Sequence, residues 1–273
     1  METLKKQQSL SILNLISVFF AIGINYYSQI YKINGNTVSD ISQKYNNLFT
    51  PAGYAFSIWG LIFIGILIFA GYQIYRTFSQ KQPMDFISQM GGWFALINLG
   101  NGLWIVAWLY EYMLVSVVIM LVILISFIKI ILNTNMERWH APAKTIVFAW
   151  WPVSIYAGWI TVATIANITA WLTKIGWDGG FIGEFWWTII LIVAATFLNL
   201  LIINKRNMRE FALVGVWALV AIYVRHLYDM QMIAIPAMFG ALLILVYVLN
   251  QGYRNRKTNP VLKYLQGNKN VGN

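Results

Sequence analysis

The side chains in this sequence that could do chemistry are few, and most of them are amides. Asn98 and Asn101 interrupt one long apolar run, and Asn167 interrupts another beside Ser154, Thr161, Thr164 and Thr169. An amide at membrane depth either glues helices together or offers a hydrogen bond to a ligand. The two histidines, His140 in a polar connection and His226 near the end of an apolar run, are not spaced to hold a haem between two spans. There is no His-Glu-x-x-His or other metal-ligand cluster and no Gly-x-Ser-x-Gly. The absence of cysteine removes disulfides, thiolate metal sites and cysteine nucleophiles. No Lys, Asp or Glu sits at the middle of an apolar run, which excludes a retinal Schiff base and argues against a buried carboxylate relay. Arg225, His226 and Asp229 form the one ionisable cluster beside an apolar run. On a helix Arg225 and Asp229 would meet at i, i+4. That cluster reads either as the wet tip of a hairpin or as a rim that recognises a carboxylate or phosphate.

Aromatic residues supply the other signal. Of 13 Trp and 15 Tyr, those such as Tyr26, Tyr27, Trp177, Trp186 and Trp187 fall where membrane interfaces should lie, as an aromatic belt. Trp59, Trp104, Trp108, Trp150, Trp151, Trp159 and Trp171 fall instead inside three apolar runs. Flat walls with few polar groups suit a planar apolar ligand such as a tetrapyrrole or a sterol. The stretch Phe49–Phe63 concentrates the pattern. Pro51 presets φ for a helix start, Tyr54 follows, and Phe56, Trp59 and Phe63 share one helical face at i, i+3, i+7. The same spacing also serves plain aromatic packing between helices.

These residues must be positioned by membrane helices. Hydrophobic residues make up 59% of the chain and charged ones 10%, against about 25% charged in soluble domains. The mean hydropathy is +0.62. The expected fold is all-α, a polytopic membrane bundle of about eight transmembrane helices. Their expected ranges are about 10–27, 51–75, 86–108, 113–131, 143–172, 184–203, 208–228 and 231–250. The long polar segment 28–50 lies between the first two. Pro152 is the expected kink in the fifth, and the seventh has an apolar core of only 14 residues, Phe211 to Val224. Three regions follow: a five-helix core over 1–173, a three-helix segment over 174–250, and a basic tail over 251–273 carrying Arg254, Arg256, Lys257, Lys263 and Lys269. The net charge of +10 does not signal nucleic acid, because the charges sit in short loops. Fifteen of the 19 basic residues lie on the side of the termini, which puts both termini in the cytoplasm by the positive-inside rule. The even run of apolar helices excludes an outer-membrane barrel and fits a bacterial inner membrane.

The second, third and fifth helices together resemble the TspO/MBR family, the tryptophan-rich sensory proteins that include the mitochondrial translocator protein. Pro51-Ala-Gly-Tyr-Ala-Phe-Ser-Ile-Trp59 resembles the family's Pro-Pro-x-Trp-x-Phe-x-x-x-Trp at the start of its second helix. Asn101-Gly-Leu-Trp104 resembles its Asn-x-x-Trp on the third. Trp159, Asn167 and Trp171 resemble its Trp…Asn…Trp on the fifth. The chain departs in having Phe49 and Tyr54 where the family has Trp, Ala52 for the second proline, and one residue fewer between Phe56 and Trp59. It also has Pro152 one turn earlier than the family's proline, and three further helices. The resemblance implies a five-helix bundle whose pocket is closed by the first loop, binding of porphyrins or sterols, and dimers. Some members promote porphyrin breakdown with pocket tryptophans, at positions where this chain has Phe49 and Tyr54. On this reading the ligand-binding residues are Phe49, Pro51, Tyr54, Phe56, Trp59, Asn101, Trp104, Trp108, Trp159, Asn167 and Trp171, with no catalytic or metal residues, a tetrapyrrole as the implied ligand, and 28–50 as lid. Its partners are membrane lipids and the hydrophobic ligand. Two other readings stand beside it: an intramembrane enzyme acting on a lipid or isoprenoid through Arg225, His226 and Asp229, and a scaffold whose amides only hold helices together.

Overall fold

The computed structural model describes residues 2–138 and 141–255. His140, Arg256, Lys257, Lys263 and Lys269 therefore lie outside the described residues. All regular structure in the described residues is helical. In chain order the α-helices are α1 (Glu2–Tyr31), α2 (Val38–Lys44), α3 (Ile58–Ile74), α4 (Asp85–Met90), α5 (Trp93–Leu109), α6 (Met113–Asn133), α7 (Ala143–Thr145), α8 (Trp151–Lys174), α9 (Gly183–Arg206), α10 (Arg209–His226) and α11 (Gln231–Arg254). Eight of these are long. Six long helical segments, containing α1, α3, α6, α8, α9 and α11, are long and apolar enough to cross a membrane. The other two long helices fall short of that measure, α5 with 17 residues and α10 with 18 residues that include Arg209, Glu210 and Arg225.

The first helix shows why the bundle holds together in lipid. Its buried face carries Gln7, Ser11, Asn14, Ser17, Asn25 and Ser28, while Ile16 and Phe19 point outward. Polar inside and apolar outside is the inverse of a soluble helix, and it follows from the solvent being hydrocarbon. The amides are spent on neighbours. Asn14 Nδ2 donates to Gln73 Oε1 at 2.8 Å, Asn98 Nδ2 to Ser17 Oγ at 3.1 Å, and Asn25 Nδ2 to Asn101 Oδ1 at 2.7 Å. At the end of the helix nearest the N-terminus, Gln7 donates to Ser88 Oγ and accepts from the Met84 backbone, both at 2.8 Å.

Two expected helices are interrupted. The run 86–108 breaks at Gly91, whose φ of +57° suits glycine, so α4 and α5 are separate. The run 143–172 contains a π-helical turn over Ile146–Trp150, immediately before Pro152. A proline cannot donate to the preceding turn, and the wider turn absorbs that loss one step ahead of the expected kink. Pro152 also fits against Gly65 of α3, where an added Cβ would sit 3.4 Å from its own.

The apolar core has two parts. The larger gathers α1, α3, α5, α6 and α8 with one face of α10, and the smaller gathers α9, α10 and α11. The helix α10 is the seam between them. A Cβ at Gly158 of α8 would fall 2.8 Å from the Phe211 carbonyl of α10, and one at Gly215 of α10 would fall 2.5 Å from Asn199 of α9. Close approach through glycine is how helices gain contact where lipid removes the hydrophobic drive between them.

Candidate binding cavity beneath the first loop

The polar segment 28–50 is ordered over one end of the bundle. Thr37 and Asp40 form a reciprocal capping box that starts α2. Val38 and Ser42 of that helix roof a cavity whose walls come from α3, α5 and α8. The helix is tied down around its edge. Trp108 Nε1 donates to the Val38 carbonyl at 3.1 Å, and Asn34 Nδ2 to the Leu109 carbonyl at 2.9 Å. Glu111, in the α5–α6 hairpin, is the latch. It takes hydrogen bonds from Lys44 Nζ at 2.8 and 2.9 Å and from the Tyr45 hydroxyl, while its carbonyl accepts from Lys174 Nζ at 2.6 Å. The hydrogen bonds from Lys44 and then Tyr45 hold its carboxyl below its usual pKa.

Seven of the residues expected at a ligand site line this one cavity: Pro51, Phe56, Trp59, Trp104, Trp108, Trp159 and Asn167. Trp104 and Trp108 stack with centroids 5.7 Å apart, and Trp159 meets Trp59 and Phe56 edge to face at 6.3 and 6.1 Å. Geometry of this kind adds about 0.5–1.5 kcal/mol per pair beyond burial. Asn167 is held on both sides. Its Oδ1 accepts from Trp104 Nε1 at 2.7 Å and its Nδ2 donates to Ser116 Oγ at 2.8 Å. Thus the Asn101-x-x-Trp104 and Trp159…Asn167 patterns meet through one side-chain bond between α5 and α8. The indole N–H of Trp159, itself 2% exposed, has no hydrogen-bond partner among the described residues.

Four expected residues stand elsewhere. Asn101 is buried behind this wall against Asn25, with its Nδ2 unpartnered. Phe49 is 2% exposed within the α9–α11 cluster. Tyr54 is exposed and packs edge to face on Trp217 of α10, 5.1 Å between centroids. Trp171 packs at the edge of the larger core. The ionisable cluster does not assemble as expected either. The helix α10 ends at His226, one turn too early to bring Arg225 and Asp229 together, and no ion pair joins them. His226 Nε2 instead donates to the Leu48 carbonyl at 2.9 Å.

Sequence reasoning named 28–50 as the lid without singling out Val38 and Ser42, and it missed the wall residues Ala163, Ala166 and Ala170 on α8. Small residues at three- and four-residue spacing around Asn167 were the available signal. It also missed the contacts that the C-terminal helices make with the segment leading into α3. The Leu48 backbone N–H donates to Glu184 Oε1 at 2.8 Å, the Ala52 N–H to the Ala221 carbonyl at 3.0 Å, and Trp217 Nε1 to the Ala55 carbonyl at 3.1 Å. The segment that leads into α3 is therefore clamped by the C-terminal helices.

The cavity itself encloses about 30 Å³, room for about one or two waters. Beside it, between α1 and α3, a groove of about 330 Å³ is lined by Ile22, Asn25, Tyr26 and Phe63 among others. Val38, Phe56 and Trp59 line both.

An aromatic chamber in a helical membrane bundle, roofed by the first loop, defines an integral membrane protein of the ligand-binding or sensor kind. The chain belongs to the TSPO-like protein family, whose model matches residues 11–250 and so takes in α9–α11 along with the earlier helices. No curated protein and no solved structure gives a significant match.

Proposed function

We propose that the chain is a membrane sensor or carrier that takes a flat, apolar ligand of the tetrapyrrole class between α3, α5 and α8, under α2. The observation that carries this reading is the convergence of four tryptophans and Phe56 on one cavity, with the buried Trp159 N–H left without a partner. A buried donor normally finds an acceptor, and a ligand carboxylate or ring nitrogen would supply one.

The volume sets the mechanism. Small-molecule sites enclose about 300–1,000 Å³, so the present cavity is the closed form of such a site. Val38, Phe56 and Trp59 are its shared wall with the groove between α1 and α3. Swinging the Phe56 and Trp59 rings and lifting α2 joins the two spaces. The polar bonds of the α2 latch lie at its edge, and lifting α2 also withdraws Val38 and Ile41 from the larger apolar core. Asn167, already bonded on both sides, orients Trp104 rather than the ligand.

The test is a titration of the detergent-purified protein with protoporphyrin IX, followed by tryptophan quenching, beside Trp59→Leu and Trp159→Leu. Saturable quenching at micromolar affinity or tighter, weakened by both changes, supports the reading. Quenching that does not saturate removes tetrapyrroles as the ligand.

A further inference from the structure

A second site lies on the opposite half of the molecule, on the lipid-facing side of α9 and α11. These helices run parallel, both ending on the side of the termini. They touch at Gly240, where a Cβ would sit 2.4 Å from Thr196 Oγ1. Toward their C-terminal ends they leave a groove of about 780 Å³. Its walls are apolar, from Phe197, Leu201, Phe239, Leu242 and Val246, and its last turn is polar, with Lys205, Asn204 and Asn250. The ends are pinned by Tyr247 Oη donating to Asn204 Oδ1 at 3.3 Å, at the groove's polar end, and by Gln251 Nε2 donating to the Ile203 carbonyl at 3.0 Å. The groove is thus a fixed feature of the helix pair.

We propose that this groove binds one anionic phospholipid, with an acyl chain along the apolar walls and its phosphate at Lys205. The dimensions agree. From Phe197 to Lys205 is about 12 Å along α9, and from Phe239 to Asn250 about 16 Å along α11, at about 1.5 Å per residue. Half of a hydrocarbon core about 30 Å thick is about 15 Å. The groove therefore begins at the bilayer centre and ends at the headgroups of one leaflet. Charge agrees as well. Lys205 is exposed and makes no ion pair with a described carboxylate, and Arg206, Arg209 and Arg254 stand at the same end. A lysine at that depth extends its ammonium toward the headgroups. A second copy of the chain is a poorer occupant. A two-fold axis normal to the membrane through this groove brings the two Lys205 side chains to the same depth, like charge against like.

The test adds dioleoyl phosphatidylglycerol or dioleoyl phosphatidylcholine to the detergent-purified full chain and counts bound lipid by native mass spectrometry. Phosphatidylglycerol should bind more tightly, and Lys205→Ala should lower its affinity about fivefold with little effect on phosphatidylcholine, since a basic residue at an anionic surface contributes about that factor. Leu242→Trp, which fills the groove, should weaken both lipids. Equal affinities for the two lipids in the unmodified chain overturn the proposal. So does phosphatidylglycerol binding that ignores both substitutions, or a dimer mass that Leu242→Trp abolishes while bound lipid stays.

Discussion

Trp159 and Asn167 sit two turns apart on α8 and do different work. Trp159 presents an unpartnered N–H in the cavity wall, whereas Asn167 is consumed by Trp104 and Ser116. Trp159→Phe removes the donor together with the five-membered part of the indole. It should weaken porphyrin binding by at least a hydrogen bond's worth, about 0.5–1.5 kcal/mol, in a fluorescence titration, with a lower melting temperature from the cavity left in the core. Tyr54→Phe should leave the affinity unchanged, because Tyr54 packs on Trp217 away from the cavity. Asn167→Leu should act chiefly on stability, costing about 0.6–1.7 kcal/mol by the range measured for interhelical hydrogen bonds in membranes, read from thermal unfolding in detergent. The tryptophans and Asn167 were legible in the sequence because they fall inside apolar runs at helical spacing. Phe49 and Tyr54 were placed with them because they stand where the resembled family has Trp. The 3₁₀ turn Gly53–Ser57 that precedes α3 carries Tyr54 onto Trp217 of α10, and Phe49, ahead of that turn, packs in the α9–α11 cluster instead.

Among the elements, α2 is the lid of the proposed site and α10 the brace behind the lead-in to α3. The lid rests on Glu111, whose carboxyl is held below its ordinary range by Lys44 and Tyr45. A carboxyl lowered in this way contributes its full share above the ordinary value of about 4.3, and the contribution is lost only as the pH falls through the lowered value. The porphyrin association rate should therefore stay flat from pH 8 to 5 and rise below that, while Glu111→Gln should raise it throughout; stopped-flow quenching measures both. Against α10, the packing of α8 depends on Gly158, where a Cβ would fall 2.8 Å from the Phe211 carbonyl. Gly158→Val should destabilise the bundle by about 1–3 kcal/mol, as overpacking does, seen as a lower melting temperature. The long helices were readable from apolar runs. The helix α2 was not read, since polar residues dominate 28–50. Its capping box at Thr37 and Asp40 and the i, i+3, i+7 spacing of Val38, Ile41 and Tyr45 were the local cues.

At the scale of the whole molecule, the C-terminal helices belong to the site's architecture. Glu184, Ala221, Trp217 and His226 hold the backbone from Leu48 to Ala55, so the lead-in to α3 is braced from behind, on the side away from α2. That dependence joins residues as much as 178 apart in sequence, and no local pattern encodes it. The inverted polarity of α1 was hidden for a related reason. Gln7, Asn14 and Asn25 look like scattered polar residues until the helix is wound and one face collects them. The proposed ligand occupies the space under α2, between α3, α5 and α8. Hydrogen–deuterium exchange of the full chain, with and without saturating protoporphyrin IX, is the test. Altered protection is expected in α2 and in residues 45–59, with the interior of α9–α11 unchanged. Altered protection confined to α9 and α11, or none anywhere, would contradict that placement.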